Sequence, residues 1–127
     1  MLPMQTPCSC SSTSKGPRLI FSCSGAADVG ELADRAARNL TRDGHGKMFC
    51  LAGIGGRVGG ILKTTEGARS ILAVDGCPLD CAKKSLEEAG FSKFHHLRLS
   101  DLGFNKGETL VTEENIAKVM KKAERYL

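Results

Sequence analysis

Six cysteines in 127 residues hold most of the chemistry this sequence could perform. Cys77 and Cys81 stand four apart in "VDGCPLDCAKKSLEEAGF", where an apolar run gives way to a helical pattern. Thiols so placed can ligate a metal, act as a redox pair, or simply pack as small hydrophobes. The compartment helps to choose. No apolar stretch approaches the roughly 20 residues of a membrane span, and "MLPMQTPCSCSSTSKGPR" lacks the apolar centre of a signal peptide. The expectation is a cytoplasmic protein, where thiols stay reduced. Metal binding or thiol chemistry then leads the reading of the cysteines.

The elements that must position these thiols alternate in type. Residues 1–17 are rich in Ser, Thr, Pro and Cys without periodicity and read as a flexible lead-in, followed by a single domain over 18–127. "RLIFSC" (18–23) reads as a buried strand. Residues 24–44 read as a helix, with Ala27, Leu32, Ala36 and Leu40 at helical spacing and Gly44 as its stop. "GKMFCLAG" (46–53) reads as a second strand, leading into the glycine-rich "GIGGRVGG". A short helix is expected within 64–70, then the strand "SILAVDG" (70–76). The helix expected over 78–90 has Pro78 in its first turn and Gly90 at its end. A fourth strand lies within 93–103, and a closing helix over 112–127 begins at the N-cap Thr112.

Strictly alternating strands and helices predict an α/β three-layer domain. Continuous rather than alternating apolar strands predict a mostly parallel sheet of four strands, covered by helices on both faces. Flavodoxin-like or Rossmann-like order 2-1-3-4 is the simplest topology.

In such a sheet Cys23, Cys50 and Cys77 each fall near the carboxyl end of a strand, the edge where open α/β folds bind ligands. Cys81, one helical turn after Cys77, is expected to join them. Four thiolates at one address suit tetrahedral Zn2+, and iron as a single ion or an iron–sulfur cluster would accept similar donors. The helix end at Pro78 and the amides of Gly76 and Cys77 are expected to favour thiolate, with Asp75 orienting a ligand. Two rivals share the same residues. One is a thiol redox enzyme with Cys77 as activated thiolate and Cys81 or Cys23 resolving; the other is an iron–sulfur electron carrier.

"VDGCPLDCAKKSLEEAGF", "FSCSGAADVGELADRAARNL" and "MFCLAGIGGRVGGIL" together resemble the DGC-domain family of small prokaryotic proteins, named for the Asp-Gly-Cys that is Asp75, Gly76 and Cys77 here. The resemblance runs from about residue 18 to 120. It implies zinc binding through the motif cysteines that match Cys23, Cys50, Cys77 and Cys81; a catalytic activity is not part of what it implies. Cys8 and Cys10 match no motif and read as either extra ligands or exposed thiols.

Other features point less sharply. Arg57 in "GIGGRVGG" is a candidate anion partner, although the segment lacks the Gly-Lys-Ser/Thr ending of a P-loop. Ser24 reads as a helix cap, and Asp28 as a dipole partner or a supporting carboxylate. His95 and His96 point to opposite strand faces, one outward and one packed, and neither is expected to ligate. No Ser/His/Asp order or paired carboxylates emerge, so enzyme status stays open. Net charge is +4, with Lys118, Lys121, Lys122 and Arg125 in the closing helix where cations suit the dipole and the solvated face. Five phenylalanines, one tyrosine and no tryptophan provide little to stack bases on, so nucleic acid is not an expected partner. A metal ion is the expected partner, and no membrane is.

Overall fold

Strands β1 (Arg18–Ser22) and β3 (Ser70–Asp75) have unbroken apolar centres, Leu19 to Phe21 and Ile71 to Val74, because helices cover both of their faces. The computed structural model describes residues 16–127; Cys8, Cys10 and the lead-in up to residue 15 lie outside the described residues. Between and after these two strands run α1 (Asp28–Arg42), β2 (Lys47–Met48), α2 (Leu51–Gly55), α3 (Gly59–Glu66), α4 (Cys81–Glu88), β4 (His95–Arg98), a 3₁₀ turn (Leu99–Leu102) and α5 (Glu113–Glu124). The sheet is parallel throughout, in the order β2-β1-β3-β4. That is the expected α/β architecture and strand order.

Period-two alternation divides the strand residues between two cores. Ile20, Leu72, Val74 and Leu97 face α1 and α5, meeting Leu32, Ala36, Leu40, Ile116 and Val119. Leu19, Phe21, Ile71 and Ala73 face the other way, against Ile54 of α2 and Ala82 and Leu86 of α4. The register Leu19↔Ile71 and Phe21↔Ala73 keeps each set on its own side. At the far end of α1, Thr41 Oγ1 accepts the Met48 N–H at 2.7 Å, fixing where β2 begins. Thr112 caps α5, its hydroxyl accepting the Asn115 N–H at 3.1 Å.

Several boundaries differ from the sequence expectation: α1 begins at Asp28 rather than at residue 24, and the short helix expected within 64–70 is α3, Gly59–Glu66. Strand β2 ends at Met48 rather than running to residue 53, and Cys50 instead caps α2. The glycine-rich segment is not an open loop; it forms the end of α2, a turn at Arg57 and the start of α3. Helix α4 begins at Cys81 instead of Pro78. Residues 77–80 form a turn in which the Asp80 N–H donates to the Cys77 carbonyl at 3.2 Å. Pro78 occupies the second position of that turn, where its fixed φ is equally at home. Asp80, with φ of 56°, then reverses the backbone into the helix. Among the described residues, no helix is long and apolar enough to cross a membrane.

Candidate metal centre at the carboxyl edge

Cys23 follows β1 directly, its N–H still bonded to the Val74 carbonyl at 3.0 Å. Its half-buried Sγ accepts the Gly76 N–H at 3.4 Å, which links the ends of β1 and β3 through sulfur. Burial pushes the Cys23 thiol above its ordinary range, against the amides of Gly25 and Gly76 that pull it down. Cys50 is exposed, and its Sγ accepts the Gly53 N–H at 3.4 Å as the cap of α2. Cys77 is half-buried in the turn after β3, and Cys81 is an exposed first residue of α4. Because Cys77 precedes the helix, the two thiols of "CPLDC" do not share a helix face as their spacing suggested.

All four cysteines lie at the carboxyl edge, around two adjoining cavities. The larger, about 950 Å³, has Cys23 and Cys50 in its wall with Met48, Phe49, Arg38 and Arg42. The second, about 520 Å³, has Cys23, Cys77 and Cys81 in its wall. Cys23 therefore faces both. No three of the four sulfurs lie within 4.8 Å of one another. Ligands of one zinc ion, with Zn–S near 2.3 Å, stand closer than that, so an ion held by this set draws the side chains inward. The donor chemistry fits such an ion, since four soft sulfurs are the donor type zinc takes in a closed site.

The Asp-Gly-Cys tripeptide divides its labour among three neighbours. Asp75 is buried, and its carboxylate accepts the Ala82 and Lys83 N–H groups at 2.7 and 3.1 Å. The first amides of α4 are thus occupied by Asp75, so the helix end expected at Pro78 faces a carboxylate, whereas the Gly76 N–H does reach the Cys23 sulfur. Gly76 lies under α1: a Cβ there would stand 2.7 Å from both the backbone carbon and oxygen of Val29. Cys77 enters the cavity where α1, β1 and β3 meet. One residue caps a helix, one admits a helix, and one presents sulfur.

Behind this edge, His96 Nε2 lies 2.8 Å from Asp75 Oδ2 and 3.7 Å from Asp80 Oδ1. Asp80 also takes the Arg98 guanidinium, Nε on Oδ1 at 2.8 Å and Nη2 on Oδ2 at 2.5 Å. That bond holds the Asp80 carboxyl below the usual carboxylate range. Among the described residues, Asp75, Asp80 and His96 are the group whose ligand atoms come within 4.8 Å of one another. Sequence reasoning set His96 aside; the signal lay in strand alternation, which puts His96 and Arg98 on one face of β4, and in the β3–β4 register that pairs Asp75 with Arg98. Arg98 already supplies the positive charge there, so the cluster acts as a brace between β3, β4 and the turn before α4.

The remaining candidates have structural roles. Arg57 has a positive φ of 58° and donates to the carbonyls of Ile54, Gly55 and Glu88, so it ties α2 to α4 rather than waiting for an anion. Ser24 does not cap α1; its hydroxyl donates to Asp34 at 2.7 Å. Asp28 accepts the N–H groups of Gly107 and Thr109 at 2.9 and 3.0 Å, which together hold its carboxyl below the ordinary range.

The anaerobic and virulence modulator AnvM of Pseudomonas aeruginosa (strain PAO1) is 40% identical to this chain over 88 residues, which is 69% of this chain and 67% of that protein. No solved structure matches. The model of the DGC domain matches residues 19–123, from the first core residue of β1 to the last buried residue of α5. On that match, the chain belongs to the DGC domain family.

Proposed function

We propose that this protein is a metal-binding regulatory module, holding zinc through Cys23, Cys50, Cys77 and Cys81, with no catalytic step of its own. The observation that carries the reading is the position of Cys23, which lines one cavity with Cys50 and the other with Cys77 and Cys81. An ion beside Cys23 is approachable from both sides by the remaining thiols. Bound there, zinc would supply a fixed cross-link between the ends of β1 and β3, the turn before α4 and the cap of α2. Such a link changes the edge without chemistry on a substrate, which suits a modulator, the word in the name of the related protein.

Titration of reduced, metal-free protein with Zn2+, followed by elemental analysis, tests the proposal. One zinc per chain is expected, and a stoichiometry well below one overturns it. Replacing Cys77 by Ser substitutes a neutral hydroxyl for a soft anionic donor and should weaken binding sharply. An iron–sulfur cluster in place of zinc would give visible absorbance in protein prepared without air. The redox alternative needs an accessible thiolate in metal-free protein. Its physical basis is reduced by Asp75, which takes the amides of Ala82 and Lys83. Thiols all titrating near ~8.5 would remove it.

A further inference from the structure

The cavity shared by Cys23, Cys77 and Cys81 sits between the carboxyl ends of β1 and β3. From β1 the chain steps to β2 on one side, and then to β3 and β4 on the other. The cavity is therefore at the point where strand order reverses, the usual ligand position in open α/β sheets. Its volume, about 520 Å³, is far more than an ion fills and lies in the range of small-molecule sites. Ala26, Ala27 and Val29 make much of the wall apolar, and Leu79, 59% exposed, stands in the wall beside them.

The buried Asp75 carboxylate in this wall is already bonded to the Ala82 and Lys83 amides and to His96; among the described residues, the one cation in it is Lys106. It is exposed and forms no ion pair among the described residues. The loop carrying it is held in place. Asp28 accepts N–H groups from Gly107 and Thr109, the residues just beyond Lys106, and Thr109 Oγ1 donates to the Asn105 carbonyl at 2.8 Å. Gly107 takes a φ of 83°, which lets the loop turn sharply enough for both amides to reach one carboxylate. The backbone that carries this lysine is thus held at the wall of a largely apolar cavity that contains three thiols.

We propose that this cavity binds small organic carboxylates that have an apolar body, with Lys106 receiving the carboxylate and Asp28 serving as the positioning residue for Lys106. The inference takes the thiol edge of the proposed metal site as its setting. Its test uses metal-free protein, so it succeeds or fails independently of zinc.

The probes are iodoacetate and iodoacetamide, two alkylating reagents of similar size, one anionic and one neutral. In each reaction the thiolate sulfur displaces iodide and forms an S–C bond. Rates are read at each cysteine of the reduced full chain by peptide mass spectrometry. The ratio of anionic to neutral rate cancels differences in thiolate fraction, so it reports the local preference for negative charge. Cys50 lies outside this cavity, in a wall with Arg38 and Arg42, so it serves as an internal control whose ratio should not respond to a change at Lys106. The informative quantity is the ratio at Cys77 and Cys81. It should fall by about threefold or more in Lys106→Gln, as expected for one unit charge nearby in partly screened solvent. Lys106→Arg should retain it. Asp28→Asn should lower it, because the carboxylate that fixes the loop is weakened as an acceptor. Butyrate, but not butyramide, should slow alkylation of Cys77 in the natural sequence and lose that effect in Lys106→Gln. A ratio unchanged by Lys106→Gln, or equal protection by butyrate and butyramide, would overturn the proposal.

Discussion

His96 Nε2 stands 2.8 Å from Asp75 Oδ2, so a strand that carries no cysteine supports the carboxylate that starts the cysteine-bearing helix. A carboxylate only accepts, so Nε2 carries the proton. Asp75 thereby joins β4 to the N-terminus of α4 through a single buried side chain. Removing it in Asp75→Ala leaves two amides and an imidazole N–H without their acceptor. We expect a loss of about 2–4 kcal/mol, since each buried donor left unsatisfied costs about 1–3 kcal/mol and some regain water. Urea denaturation followed by far-UV circular dichroism measures it; a change under ~0.5 kcal/mol would refute the cap.

Gly76→Ala tests the second member of the tripeptide. The added methyl would meet backbone atoms of Val29 at 2.7 Å, and backbone cannot rotate away as a side chain can. We expect a cost of about 1–3 kcal/mol or more as α1 is displaced, together with weakened zinc binding because Cys23 and Cys77 flank that contact. An unchanged melting temperature would show that α1 yields easily.

Acid should reveal the Asp80–Arg98 pair. The Asp80 carboxyl is depressed in the folded protein by its bonds to Arg98. Its contribution to stability is then fully present above the unfolded value of about 3.9 and is lost as pH falls through the lower folded value. Arg98→Met should be less stable than the natural sequence at pH 6, and the gap should narrow below about pH 4. A gap constant from pH 6 to 2.5 would mean that packing of the Arg98 stem, not charge, holds the turn.

Among the thiols, Cys23→Ser should weaken zinc binding more than Cys50→Ser. Cys23 is half-buried between the two cavities, whereas Cys50 is exposed at one of them. The expected fall for Cys23→Ser is at least the roughly 10–100-fold that follows loss of a group supporting a metal ligand. Competition with a coloured chelator reads both variants. Equal affinities would place the ion away from Cys23.

Much of the architecture was legible in the chain. Unbroken runs such as "RLIFS" and "SILAV" demanded burial on both faces, and helical repeats between them demanded a parallel α/β sheet with cysteines after successive strands. Gly44 and Gly90, both at positive φ beyond helix ends, and Thr112 at the start of α5 were readable because capping is a local matter of one or two residues.

The boundaries around the thiols were decided elsewhere. Pro78 satisfies a helix start and a turn equally well, and the choice fell to the turn because Asp75 reaches across to the amides of Ala82 and Lys83. The second strand stops at Met48, after which Cys50 caps a helix whose Ile54 fills the core beside Phe21. Residue types and periodicity, being properties of neighbours along the chain, determined the sheet, its two cores and the edge to which the sulfurs come. Which carboxylate meets His96, why Gly76 must lack a side chain, and how a loop at 105–109 brings Lys106 to the thiol cavity are contacts between residues 21 to 81 positions apart. Only packing fixes such pairs, because no local preference of either partner specifies the other.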